Sequence, residues 1–134
     1  MTSPPLPDLY RAYIDGLNRQ AWDELHRHVA PDVERNGDKL GLAGYRAMLV
    51  KDFQDIPDLR FTIALLACTP PLVSARLAFD CSPKAKFLGL AVDGRKISFT
   101  ENVFYEYRAG KIARVWSVVD KPAIEAQLAQ MTAP

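Results

Sequence analysis

The hydrophobic period of this chain changes once, near its midpoint. In the first half, apolar residues recur at helical spacing. Leu9, Tyr13 and Leu17 stand at i, i+4 and i+8, with Tyr10 and Ile14 widening the stripe. That spacing predicts a first helix opened by Pro7 and Asp8, with Gly16 a mild weakness near its end. A second, short helix is expected to carry Trp22, Leu25 and Val29 on one face and to stop before Pro31. The segment DVERNG reads as a short strand leading to a turn. A third helix is predicted after the glycines of GLAG, burying Tyr45, Met48, Leu49 and Phe53 and ended by Pro57.

From Leu59 onward the period becomes alternating. LRFTIALLAC places Leu59, Phe61, Ile63, Leu65 and Ala67 on one face of a strand, and Pro70-Pro71 breaks it. LVSARLAFDC then aligns Val73, Ala75, Leu77 and Phe79. SPKAKFLGLAVDG reads as a long excursion with a turn at Asp93-Gly94. It hands over to a strand in RKISFTENVFYEYR, joined through a tight hairpin at Ala109-Gly110 to KIARVWSVV. A last helix, PAIEAQLAQM, starts with Pro122 in its first turn and is expected to bury Ile124, Leu128 and Met131. Helices first and hairpin-linked strands afterwards argue for an α+β fold, with residues 1–134 as one domain.

Composition narrows the function classes. Charges of both signs are interspersed, the formal net charge is +1, and no Lys/Arg run stands out, so no nucleic-acid partner is expected. The longest apolar runs are too short to span a bilayer, and the N-terminus has neither a basic start nor an apolar signal core. A soluble cytoplasmic protein with no membrane partner is the expectation. Cys68 and Cys81 sit in strand-like runs outside any C-x-x-C and read as two buried free thiols, with a disulfide between them as the other reading. His26 and His28 are the only histidines, and two apart on a helix they point to different sides, so no metal is expected. Glycine-rich phosphate cradles and a G-x-S-x-G elbow are both missing.

Two carboxylates break the apolar pattern. Trp116, Val118 and Asp120 share a face of the last strand, because side chains two apart point the same way. An acid beside tryptophan and valine is expected to be partly desolvated, with its pKa above the ~3.9 of a free Asp, as proton transfer near neutral pH requires. Asp is also a preferred N-cap, and a helix begins within two residues, so capping is the other reading of Asp120. In the preceding strand Ile97, Phe99, Glu101, Val103, Tyr105 and Tyr107 form one face, apolar except for Glu101. That acid either lines a polar pocket, pairs with a base, or is turned outward by a bulge.

The order of elements and several motifs together resemble the SnoaL-like polyketide cyclase family of the NTF2-like superfamily. The resemblance rests on YRAYIDGLNRQAWDELHRHVAPDV, GLAGYRAMLVKDFQDIPDLRFTI, FLGLAVDGRKISF and GKIARVWSVVDKPAIEAQL, and covers nearly the whole chain. It implies a cone-shaped α+β barrel, with helices packed on a strongly curved, mostly antiparallel sheet around a deep apolar pocket. It also implies a homodimer formed through the sheet. The family closes a ring of an aromatic polyketide ester by intramolecular aldol condensation, without metal or cofactor. Its general acid/base is an aspartate at the end of the strand after GKI, which matches Asp120.

On this footing a small apolar, carbonyl-containing ligand is expected. Trp116, Tyr13, Phe53 and Phe87 are candidates for the cavity wall. Family members place assisting histidines after the APDV-type segment and in the penultimate strand. This chain has Arg35-Asn36 in the first region and no His beyond His28. Arg35 and Asn36 are candidates to orient or stabilise an enolate oxygen. Two readings stand: a cofactor-independent acid/base enzyme, cyclase or related isomerase or dehydratase, and a non-catalytic module that binds a small molecule or dimerises.

Overall fold

The structure is a computed structural model that describes residues 4–132. Helix α1 (Leu6–Asn18) buries the predicted stripe of Tyr10, Tyr13, Ile14 and Leu17. The second helical segment is a 3-10 turn, Trp22–Arg27, that ends earlier than expected. Val29 already belongs to strand β1 (Val29–Arg35), with Pro31 inside it. Pro31 is tolerated there because β1 is an edge strand, paired only with β7. Helix α2 (Gly41–Asp55) includes the glycines of GLAG, and Gly41 enters it at φ +67°.

The strands are β2 (Thr62–Thr69), β3 (Leu72–Cys81), β4 (Lys86–Phe87), β5 (Leu90–Ala91), β6 (Ile97–Arg108) and β7 (Lys111–Val119). Five of them form one sheet in the order β1-β7-β6-β3-β2. All neighbours are antiparallel except β1 and β7, which run parallel. Short strands β4 and β5 form a separate hairpin inside the excursion SPKAKFLGLAVDG, where the sequence pattern predicts no strand. Helix α3 (Lys121–Thr132) follows β7 and packs Ile124 into the core, while Gln127 brackets the backbone of Ser98 at the start of β6. Met131, expected inside, is half exposed.

The inner face of the sheet carries Val73, Ala75, Leu77 and Phe79 of β3 and Ile97, Phe99, Val103, Tyr105 and Tyr107 of β6, all buried as the alternation predicted. The β2 reading needs correction. A register shift between Ile63 and Leu65 changes the phase of the alternation. Leu66 and Cys68 therefore pack against the core, while Leu65 is 61% exposed. Cys68 and Cys81 are both free, Cys68 half-buried and Cys81 buried. Helices α1 and α2 cover the inner face with Tyr10, Tyr13, Tyr45, Leu49 and Phe53, and one contiguous apolar cluster results. Among the described residues no helix is long and apolar enough to cross a membrane.

Candidate active site

Between α2, the inner face of the sheet and the β4–β5 hairpin lies a cavity of about 200 Å³. Its walls are apolar and largely aromatic: Phe61, Phe79, Phe87, Phe99, Met48 and Val119. Three charged side chains interrupt them, namely Arg35 from the end of β1, Asp52 from α2 and Glu101 from β6. A narrower extension of about 50 Å³ shares those three residues and runs inward to Tyr13, Tyr45 and Tyr105. The site is thus an apolar slot with one polar end.

Each charged residue is placed by its element. Glu101 lies on the inner face of β6 because it alternates with Phe99 and Val103. Asp52 lies on the buried stripe of α2, three residues after Leu49 and seven after Tyr45. Arg35 ends β1, where the chain turns through Asn36 and Gly37 at positive φ. The Asn36 side chain extends the β1–β7 ladder: its Oδ1 accepts from the Ser117 amide at 2.9 Å, and its Nδ2 donates to the Ser117 carbonyl at 3.3 Å.

Ser117 faces inward on β7, and its hydroxyl donates to Oε2 of Glu101. Arg35 Nη2 stands 4.0 Å from the same oxygen. Burial raises the pKa of Glu101, opposed by the Ser117 hydrogen bond and the Arg35 charge. Burial also pushes the Asp52 carboxyl up to about 6, with Arg35 pulling it down and Glu101 adding to the rise. Asp52 has no side-chain hydrogen-bond partner among the described residues, so its carboxyl is free to meet a ligand.

The tyrosines of the inner extension are paired. Tyr13 and Tyr45 share a hydrogen bond at 2.7 Å, and Tyr10 donates to Tyr105 at 3.1 Å. Burial pushes the Tyr45 hydroxyl up to about 12 and raises Tyr13 and Tyr105 as well, so these phenols keep their protons and remain donors.

The structure brings together Arg35, Glu101 and Phe87 from the sequence-level candidates, and sets Tyr13 at the inner end. Phe53 stands behind the wall, stacked edge-on to Trp22 and tilted against Phe61. Asn36 is exposed and reaches the cavity only through Ser117. Trp116, Val118 and Asp120 do share a face, but it is the outer one. Trp116 pairs with Phe104 and Val118 with Asn102, while Val115, Ser117 and Val119 point inward. Trp116 is 40% exposed and Val118 72%.

Asp120 is exposed, borders a shallow outer groove beside Asp80 and Thr100, and accepts the Ala123 amide at 3.3 Å as the N-cap of α3. The expected placement of Trp116 and Asp120 at the cavity follows from a parity that alternation alone cannot assign. Asp52 was not among the candidates. Its signal was present, an acid on the same helical stripe as Tyr45, Met48 and Leu49. Among the described residues no group of three or more His, Cys, Asp or Glu is positioned to hold a metal ion.

Comparison with known proteins agrees with this architecture. The family model of the SnoaL-like polyketide cyclases matches residues 7–128. A crystal structure of a SnoaL-like polyketide cyclase from Agrobacterium tumefaciens is 55% identical, with a TM-score of 0.93 over 94% of this chain and 99% of that one. TsrD from Streptomyces laurentii superimposes with a TM-score of 0.80 at 21% identity, over 92% of this chain and 93% of its own. IdmH from Streptomyces antibioticus gives 0.78 at 21% identity, over 92% and 97%. No curated protein matches the sequence. The three helices on a mixed, curled five-stranded sheet are the α+β cone of the NTF2-like fold. The chain belongs to the SnoaL-like polyketide cyclase family.

Proposed function

We propose that this protein is a cofactor-independent acid/base enzyme that closes a ring of a planar, carbonyl-rich small molecule by intramolecular aldol condensation. The observation that carries the reading is the pair of carboxylates, Asp52 and Glu101, lining one apolar cavity with Arg35, whose charge acts on both. Near neutral pH Asp52 is the base. Its carboxylate removes a proton from the carbon between two carbonyl groups, and the electron pair of that C–H bond passes into an enolate. Arg35 offers its guanidinium to the enolate oxygen, as a donor aimed at developing negative charge does. The enolate carbon attacks a second carbonyl of the same molecule, and protonated Asp52 returns the proton to the resulting alkoxide. Glu101, held by Ser117, keeps Arg35 in place and makes Asp52 a better base by its charge. The aromatic walls fold the substrate into a reactive shape.

The proton-transfer role therefore passes in this proposal from Asp120 to Asp52, because Asp120 is exposed and bonded to the start of α3. A homodimer through the outer sheet face belongs to the same reading. Its support is the row of exposed Leu65, Leu72, Phe104, Trp116 and Val118, more apolar surface than a sheet face in water usually keeps. The test of the enzymatic reading is hydrogen–deuterium exchange at the carbon between the carbonyls of methyl 2-naphthoylacetate, followed by proton NMR. Saturable acceleration by the protein is expected. An exchange rate equal to buffer would leave only the non-catalytic binding module.

A further inference from the structure

The tip of the β4–β5 hairpin breaks a rule of turn chemistry. Phe87 pairs with Leu90, so Leu88 and Gly89 form a two-residue turn, and both have positive φ, +53° and +77°. Such turns favour Asn-Gly or Asp-Gly, because a short polar side chain tolerates the left-handed region and a large apolar one does not. Asn36-Gly37 and Asp93-Gly94 follow that preference with the same signs of φ, while the β6–β7 turn uses the small Ala109 before Gly110. Among the described residues the non-glycine positions at positive φ are Gln20, Asn36, Leu88, Asp93 and Ala109, and Leu88 is the only bulky apolar one. It is also 41% exposed, so burial in the core does not explain it. Yet the same side chain lines the cavity, together with Phe87, Arg35 and Glu101.

We propose that Leu88 is a ligand-contact residue, an apolar cover for the cavity that the turn keeps for binding at a cost in local stability. Local rules broken without a packing gain concentrate at functional sites. A ligand with an oxygen at Arg35 and a planar apolar body along Phe61, Phe79 and Phe99 would cover part of the exposed Leu88 side chain. This rests on the reading of the cavity as a small-molecule site, and the experiment separates the two.

The probe is 2-naphthol, titrated by its own fluorescence into the wild type, Leu88→Asn and Leu88→Met, with thermal midpoints measured in its absence. Leu88→Asn is expected to melt at or above the wild-type temperature, since asparagine suits the turn, and to bind the probe about five- to tenfold more weakly. Leu88→Met keeps the apolar contact and is expected to bind within about twofold of the wild type. Wild-type binding that Leu88→Asn leaves unchanged overturns the role of Leu88 while the site reading survives. A lower midpoint for Leu88→Asn makes Leu88 a structural packing residue, which also overturns the proposal. Failure of the wild type itself to bind the probe overturns both.

Discussion

The Ser117 hydroxyl donates to the Glu101 carboxylate across the β6–β7 pair, and the Asn36 side chain holds Ser117 by both of its backbone polar groups. A surface asparagine is thereby connected to a buried acid through one serine. The serine matters because Glu101 is largely buried, and an acid in apolar surroundings stays ionised only where hydrogen bonds and opposite charge offset desolvation.

Removing the donor should show this directly. Ser117→Ala is expected to raise the pKa of Glu101 further and to destabilise the protein at pH 7 by about 1.5–3 kcal/mol, the range for a hydrogen bond to a charged group. Carboxyl-carbon NMR titration, with Glu101→Gln as the assignment control, reads the first effect and urea unfolding the second. A Glu101 titration unchanged in Ser117→Ala would mean that the hydroxyl does not bear on its charge.

Asp52 makes a prediction with a definite sign. Its folded pKa, about 6, lies above the ordinary 3.8, so the native state binds the proton more tightly than the unfolded chain. Stability therefore decreases as pH rises from about 4 to about 6, and the penalty is complete above that window. Asp52→Asn removes the penalty. The variant should be more stable than the wild type by on the order of 2 kcal/mol at pH 7.5, with the difference gone below about pH 4. Denaturant midpoints measured at both pH values check it. A variant that is less stable at pH 7.5 would show that the carboxylate is satisfied in the native state.

Asp120 behaves differently in this account. As an N-cap it accepts the third amide of α3, a task asparagine performs as well as aspartate. Asp120→Ala should cost about 1 kcal/mol of stability and Asp120→Asn only a few tenths. Equal losses in both would point to a role for the charge itself.

The outer sheet face supplies a prediction about assembly. Val118 is 72% exposed and lies beside Phe104 and Trp116, so a charge there would stand in the middle of any sheet-to-sheet contact. Val118→Asp is expected to sediment as a monomer where the wild type sediments as a dimer, with little change in monomer fold. A wild type that is monomeric at micromolar concentration would remove the dimer from the account.

Much of the fold was legible because two periods were unambiguous. Tyr10, Tyr13, Ile14 and Leu17 mark α1, and the alternating residues of β3 and β6 mark the inner face that α1 and α2 cover. Where reading failed, the cause was a phase that local pattern does not carry. A shift of register in β2 moved Leu65 outward, and β7 turned its Trp116 face to solvent although that face looks the more apolar. Exposed aromatic residues on a sheet face mimic a core in sequence.

The site was half legible for a related reason. Glu101 stood out as one acid in an apolar alternation, and Arg35 as a polar residue where a strand ends. Asp52 was hidden among Lys51, Asp55 and the other charges of α2, and only its position on the stripe of Tyr45 and Leu49 gives it away. The turn at Leu88 was invisible, since nothing in FLGLA announces a left-handed leucine.

The central claim is that the cavity carboxylate Asp52, and not the capping Asp120, moves the proton. The direct measurement is the rate of deuterium incorporation into methyl 2-naphthoylacetate by the wild type, Asp52→Asn and Asp120→Asn at pH 7. The account predicts at least a hundredfold loss in Asp52→Asn, the lower range for a general base, and a rate within about twofold of the wild type in Asp120→Asn. Loss of exchange in Asp120→Asn with Asp52→Asn unaffected would contradict it.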